Sequence, residues 1–154
     1  MRSRMMSAVR SKNTKLEIAF RRRLFAMGFR FRLHRKDLPG KPDLVFPKHS
    51  AIIFIHSCFW HHHGCHLSDL PQTRREWWQA KLEGNRKRDR KVNRQLLEMG
   101  WRVITIWECS FRQRGTVREL ALDTLAERAG VFLLSGERSL ALPPKASRPN
   151  RTKQ

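Results

Sequence analysis

The sequence predicts an α/β fold, a single domain whose central mixed β-sheet is flanked by helices. Three observations predict it. Helical and extended apolar periods follow one another in the order helix, strands, helix, strand, helix, which sets helices on the faces of one sheet. A chain of 154 residues is long enough to bury one modest core and too short for a second independent one. No segment repeats at a fixed period, which excludes solenoids and propellers.

Leu16, Phe20, Leu24 and Met27 share one helical face while Arg21, Arg22 and Arg23 largely face elsewhere, so a first helix is expected from Thr14 to Gly28. Thr14 with Glu17 three residues on forms a capping box, and Gly28 supplies a stop. Phe29, Phe31 and Leu33 then alternate with Arg30, Arg32 and His34, the period of a half-buried strand, until Leu38-Pro-Gly-Lys-Pro42 breaks it. Two short apolar runs, Asp43 to Phe46 and Ala51 to Ile55, flank a Pro-Lys-His-Ser turn and should pair antiparallel at the sheet centre. Ser57 to Thr73 reads as irregular. Arg74 to Met99 is helical in composition, with an interruption expected near Gly84 and an inward face of Val92, Leu96 and Met99. Trp101 to Trp107 is apolar and β-branched enough for a buried strand, and Thr116 with Glu119 caps a last helix running to about Arg128. The organisation expected is a basic arm at 1–13, a folded domain at 14–136 and a disordered basic tail at 137–154, where prolines and bases leave too little apolar content to offset the entropy of ordering.

Lysine and arginine number 33 against 13 acidic residues, a formal charge of +20, and a compact body so charged repels itself unless a polyanion is near. Nucleic acid fits. An anionic membrane surface would need an apolar anchor, and the longest clean apolar run is only Ala51 to Ile55. The amino terminus is basic without the apolar stretch of a secretory signal; an organelle presequence is its alternative reading. Three cysteines, two of them in a histidine cluster, point to metal binding in a reducing compartment rather than to a disulfide. The expected location is therefore a bacterial-type cytoplasm, at the nucleoid.

In Cys58-Phe-Trp-His-His-His-Gly-Cys65, the residues Cys58, His63 and Cys65 are spaced to close three corners of a tetrahedron, with Cys109 as a distant fourth. Thiolate and imidazole donors favour Zn2+, and four protein ligands leave no open position, so such a site is structural. Alternatively, Cys109 is a buried free thiol and the histidine run is incidental. A loop this polar has little reason to fold without a ligand.

Pro42-Asp43 opens one strand and Phe54-Ile-His56 ends the next, a spacing similar to the PD-(D/E)xK nuclease pattern, although Phe54 and His56 stand where that pattern has an acid and a lysine. The stretches RSKNTKLE, LPGKPDLVF, IFIHSCFWHHHGC, EWWQAK, NRKRDR and MGWRVITIWEC together resemble the very short patch repair (Vsr) endonucleases, from about residue 4 to about residue 128. The resemblance implies a restriction-endonuclease-like core, a structural Zn2+, a catalytic Mg2+, and nicking immediately 5′ of the thymine in a T:G mismatch. Position by position it implies Asp43 as the Mg2+ carboxylate, the backbone carbonyl of Ile55 as a second ligand, and His61 as general base or water activator. It further implies Glu17 and His56 around metal-bound water, and Asp89 as the acid that holds the histidines. A carboxylate suits a hard cation, and imidazole suits proton transfer near neutral pH. The residues alone leave other roles open: Glu17 as a capping partner, Asp89 as an ion pair among Arg86, Arg88 and Arg90, and His61 or His62 as an extra zinc ligand.

Phe59 and Trp60 lie in the ligand loop, and Trp77 and Trp78 open the following helix. Exposed aromatics beside a basic surface can wedge into a duplex where pairing is already faulty. The resemblance implies intercalation by Phe59, Trp60 and Trp78 and a minor-groove contact by the arm near Met6, while Trp77 is expected in the core. Arg2, Arg4, Arg10 and Lys12 of the arm would lie along phosphates, adding affinity without sequence information. The expected partner is double-stranded DNA carrying a T:G mismatch, bound by a monomer, with other repair proteins as candidate associates. The rival functions are a nuclease of the same fold acting on unmismatched or foreign DNA, and a zinc-stabilised DNA-binding protein without catalysis.

Overall fold

The computed structural model describes residues 14–112 and 114–143. Helix α1 (Lys15–Ala26) begins where the Thr14 hydroxyl accepts the Glu17 N–H at 3.2 Å, as a capping residue should. Phe20 and Leu24 on its inner face are wholly buried, each contributing about 1.5–3 kcal/mol of apolar burial. The helix stops at Gly28, whose φ of +95° suits a residue without a Cβ.

The strand expected over Phe29 to Leu33 shrinks to β1 (Arg32–Leu33), because His34 turns into the left-handed region at φ +48° and ends the pairing. Strands β2 (Leu44–Phe46) and β3 (Ala51–His56) form the expected antiparallel pair, in register Leu44 to Ile53 and Phe46 to Ala51, across a 3-10 turn at Pro47–His49. Gly40, at φ +74°, sits where a Cβ would lie 2.5 Å from a Val92 methyl carbon, so the LPG turn presses its backbone against the following helix.

Helix α2 (Arg75–Glu98) runs unbroken through Gly84. The interruption expected there does not occur, since one exposed glycine costs a helix only about 1 kcal/mol. Strand β4 (Arg102–Trp107) lies parallel to β3, with Ile55 opposite Ile106 and His56 opposite Trp107. Helix α3 (Gly115–Leu134) starts ahead of Thr116, with no side-chain cap, and continues six residues beyond Arg128 because Ala129, Phe132 and Leu133 are still buried against the sheet.

The expectation of disorder from residue 137 is corrected for residues 137–143, and the rest of that tail, like the arm at 1–13, lies outside the described residues. Strand β5 (Ser139–Leu142) adds to β4 in parallel, with Leu142 opposite Ile106 and fully buried, so the folded domain extends past 136. The sheet order is β1-β2-β3-β4-β5, antiparallel on one side of β3 and parallel on the other. Ile53, Ile104 and Ile106 face α1 and α3, whereas Ile52, Phe54 and Val103 face Leu96 of α2, which gives three layers around two apolar clusters. Among the described residues no helix is long and apolar enough to cross a membrane.

Candidate active site and metal centre

The loop between β3 and α2 carries most of the chemistry, and its fold follows from one cluster of donors. His63 Nδ1 lies 3.7 Å from the Cys58 sulfur and 3.6 Å from the Cys109 sulfur, with Cys65 completing a group whose donor atoms all fall within 4.8 Å of one another. Donors at zinc–sulfur and zinc–nitrogen bond lengths on a tetrahedron stand about 3.5 Å apart, so the observed spacing fits that cation. Burial pushes the Cys58 and Cys109 thiols up, and a bound cation must therefore displace their protons. The His63 ring stacks on Trp107 at 4.2 Å, and the Cys109 N–H donates to the Cys58 sulfur at 3.3 Å, tying the loop to the end of β4. No disulfide is formed; all three thiols are free.

A second cluster lies on the α2 side of the β3 end. Asp89 Oδ2 accepts from His61 Nδ1 at 2.7 Å, and the His56 ring stacks flat under His61 at 3.8 Å. Asp89 is thus a partner of His61 rather than of the neighbouring arginines, and His61 stands apart from the thiols. Burial, reinforced by the nearby His61, pushes His56 down to about 3, so its ring is neutral at ordinary pH. His61 keeps 29 % of its side chain exposed and can meet a substrate. A cavity of about 260 Å³ opens over the pair, lined by His61, Arg86, Asp89, Arg90, Asn93 and Trp107. It sets guanidinium groups beside a histidine–carboxylate pair, the composition expected where a phosphodiester must be held and its attacking water deprotonated.

Asp43 belongs to a third cluster. Its Oδ2 accepts the Ile55 N–H at 2.7 Å, and its own N–H donates to the Ile53 carbonyl at 3.2 Å. The N–H and C=O of one residue in an extended strand point the same way, so the Ile55 carbonyl also faces the Asp43 side. Glu17 of α1, 3 % exposed, and His34 complete the group: His34 Nε2 is 3.4 Å from Glu17 Oε1, and its Nδ1 is 3.7 Å from Asp43 Oδ1. Two carboxylates and a strand carbonyl are hard oxygen donors of the kind Mg2+ takes.

The predicted catalytic residues therefore gather in two groups straddling the end of β3, with Glu17 and Asp43 on the α1 side and His56, His61 and Asp89 on the α2 side. Ile55 and His56, consecutive residues pointing to opposite faces, join them. Phe54, at the acid position of the generic pattern, is a core residue against Leu96. His34 was not singled out from sequence, because only the pairing of β1 with β2 brings it to Asp43.

Phe59, Trp60 and Trp78 come together as expected, with ring centroids 5.2–5.8 Å apart. Trp77 does not enter the core: it is 47 % exposed, between Arg74 and Lys81, because α2 turns it outward. Met6, Arg2, Arg4, Arg10 and Lys12 lie outside the described residues.

A carboxylate at the opening of one strand with a second from α1 beside it, a histidine–aspartate pair past the end of the next strand, and a strongly basic composition on a mixed sheet are the features of a nuclease of the restriction-endonuclease-like class. Residues 1–67 match the family described as DNA mismatch endonuclease Vsr. The chain is 41 % identical over 126 residues to the DNA mismatch endonuclease Vsr of Escherichia coli, covering 82 % of this chain and 81 % of that protein. It is 49 % identical over 113 residues to a type II nicking enzyme of Xanthomonas oryzae pv. oryzae, covering 73 % and 83 %. A type II nicking enzyme of Neisseria meningitidis serogroup A is 39 % identical over 118 residues, covering 77 % and 84 %. The chain belongs to the Vsr family and is a DNA endonuclease.

Proposed function

We propose that this endonuclease nicks one strand of duplex DNA 5′ of the thymine at a T:G mismatch and so opens short-patch repair, acting as a monomer in the reducing cytoplasm. The observation that carries the reading is the His61–Asp89 pair on one side of the β3 end with the Asp43 carboxylate on the other, in a chain of this family.

Asp89 accepts the Nδ1 proton of His61, which leaves Nε2 as the proton acceptor. As a water proton moves to Nε2, the water oxygen bonds to phosphorus, the bond from phosphorus to the bridging oxygen breaks, and that oxygen takes a proton from solvent. Neutral His56 underlies His61 and fixes the plane of its ring. Asp43 and the Ile55 carbonyl would hold Mg2+, with Glu17 beside them orienting its water. When bound, that ion supplies charge neutralisation at the phosphate and a more acidic water. Cys58, His63, Cys65 and Cys109 would hold a structural Zn2+, since four protein donors leave no position for substrate.

Phe59, Trp60 and Trp78 form one aromatic wedge beside this loop. Inserting such a wedge costs least where base stacking is already weakened, which supports a preference for mispaired DNA. Met6 would reach the minor groove while Arg4, Arg10 and Lys12 follow the phosphates.

The test is nicking of end-labelled T:G and T:A duplexes, with Mg2+ and with chelator. The expected result is a single nick in the T:G duplex that needs Mg2+ and is lost in Asp43→Ala. Equal cutting of both duplexes would assign the protein to nucleases of unmismatched DNA. Intact DNA throughout, with binding unaltered by Asp43→Ala, would make it a binding protein.

A further inference from the structure

We propose that His34 is a third, nitrogen donor to the divalent cation at Asp43, and that it biases this site from Mg2+ toward Mn2+. The inference rests on the reading of Asp43 as a metal carboxylate and deepens it.

The imidazole lies between the two acids, with Nε2 3.4 Å from Glu17 Oε1 and Nδ1 3.7 Å from Asp43 Oδ1. These spacings are longer than close charge-assisted hydrogen bonds. Only one ring nitrogen can meet a given cation, and the 3.7 Å from Nδ1 to Asp43 Oδ1 lies between the separations of about 3.0 Å for neighbouring and about 4.2 Å for opposite ligands of an octahedral cation at bond lengths near 2.1 Å. Nε2 is left to face Glu17, as the second nitrogen of a metal-bound histidine commonly faces a carboxylate. One donor atom from each of Glu17, His34 and Asp43 falls within 4.8 Å of the others. The group is also sheltered, with 4 %, 16 % and 15 % of the respective side chains exposed, so a cation there is not simply held by water.

His34 is held in place at a cost. Its φ of +48° is in the left-handed region, uncommon for a residue with a Cβ, and its N–H donates to the carbonyl of Asp43 at 3.0 Å. The backbone bond thus fastens the ring to the very residue whose carboxylate it faces. A simple ion pair would need no such constraint. The chemistry then sets the preference. Mg2+ takes oxygen donors and dehydrates reluctantly, whereas imidazole nitrogen is a better donor to first-row transition cations.

The experiment uses the full chain with its cysteine cluster loaded with Zn2+, titrated with Mn2+ and followed by electron paramagnetic resonance, with Mg2+ as competitor. In the native chain, pulsed spectra should show 14N modulation from a directly bound imidazole. His34→Gln should lose that modulation and weaken Mn2+ by about tenfold, while Mg2+ affinity changes much less. His34→Asp, which restores a donor but not nitrogen, should bind Mn2+ without the modulation, and it serves should the glutamine variant fold poorly. Asp43→Asn should remove the bound Mn2+ altogether. Persistence of the nitrogen signal in both His34 variants, or its absence in a native chain whose Mn2+ still depends on Asp43, overturns the role of His34 and leaves Asp43 standing. Mn2+ binding indifferent to Asp43→Asn overturns the underlying reading instead.

Discussion

At the scale of single residues, the bond between Asp89 and His61 decides which ring nitrogen can act as a base. With a carboxylate 2.7 Å from Nδ1, the proton stays on that nitrogen and Nε2 is left to accept. Asp89→Asn keeps the shape but lets the side-chain amide donate, which favours the opposite tautomer. Nicking should then fall by at least about 100-fold, the scale of a lost general base. The melting temperature should hardly move, because both partners are about a quarter exposed and a screened pair adds little stability. An unchanged single-turnover rate would return Asp89 to the surface-charge role that its arginine neighbours also suggest. The sequence marks the candidate residues here but not how they divide. The Asp43 and His61 signals sat in recognisable strings, whereas the stacking of His56 on His61 and the approach of His34 to Asp43 depend on contacts across the fold that no local spacing records.

At the scale of elements, α2 departs most usefully from its expected form. It carries Asp89, Arg86 and Trp78 on one rigid rod, so a break near Gly84 would have uncoupled the wedge from the cavity. Gly84 is exposed, and a Cβ built there meets nothing within 4 Å. Gly84→Ala should therefore stabilise the protein by about 0.5–1 kcal/mol through the lower backbone entropy of the unfolded chain. Differential scanning calorimetry should show a rise of about 1–4 °C, and a fall would mean that the helix needs the freedom of glycine. Elements with strong periodicity or a capping residue, α1, the β2–β3 pair and β4, were legible. Two of the misses share a cause. β5 is four residues long and precedes a proline-rich stretch, and α3 runs on past the charged pair Glu127 and Arg128. In each case tertiary burial, of Leu142 or of Phe132 and Leu133, outweighed the local signal.

At the scale of the whole molecule, the Cys58–His63–Cys65–Cys109 cluster closes a chain loop of fifty-one residue steps, since its first and last members come from the end of β3 and the end of β4. His61 lies inside the short arc between Cys58 and His63, so whatever fills the cluster also sets where the candidate base stands. Removing Cys109 leaves a site with three donors and frees the arc from β4. Cys109→Ser should thus lose the bound Zn2+ and lower the melting temperature by roughly 5–15 °C, the range for several kcal/mol in a chain of this size. Chelation of the native protein should give the same shift, and returning Zn2+ should reverse it. Nicking should fall together with stability in Cys109→Ser, whereas Asp89→Asn separates the two, so the pair of variants distinguishes a scaffold from a reacting group. One zinc per chain, by elemental analysis, in a Cys109→Ser protein that melts where the native one does would take Cys109 out of the ligand set. The position of His61 would then have to be explained by its stacking on His56 and its bond to Asp89 alone.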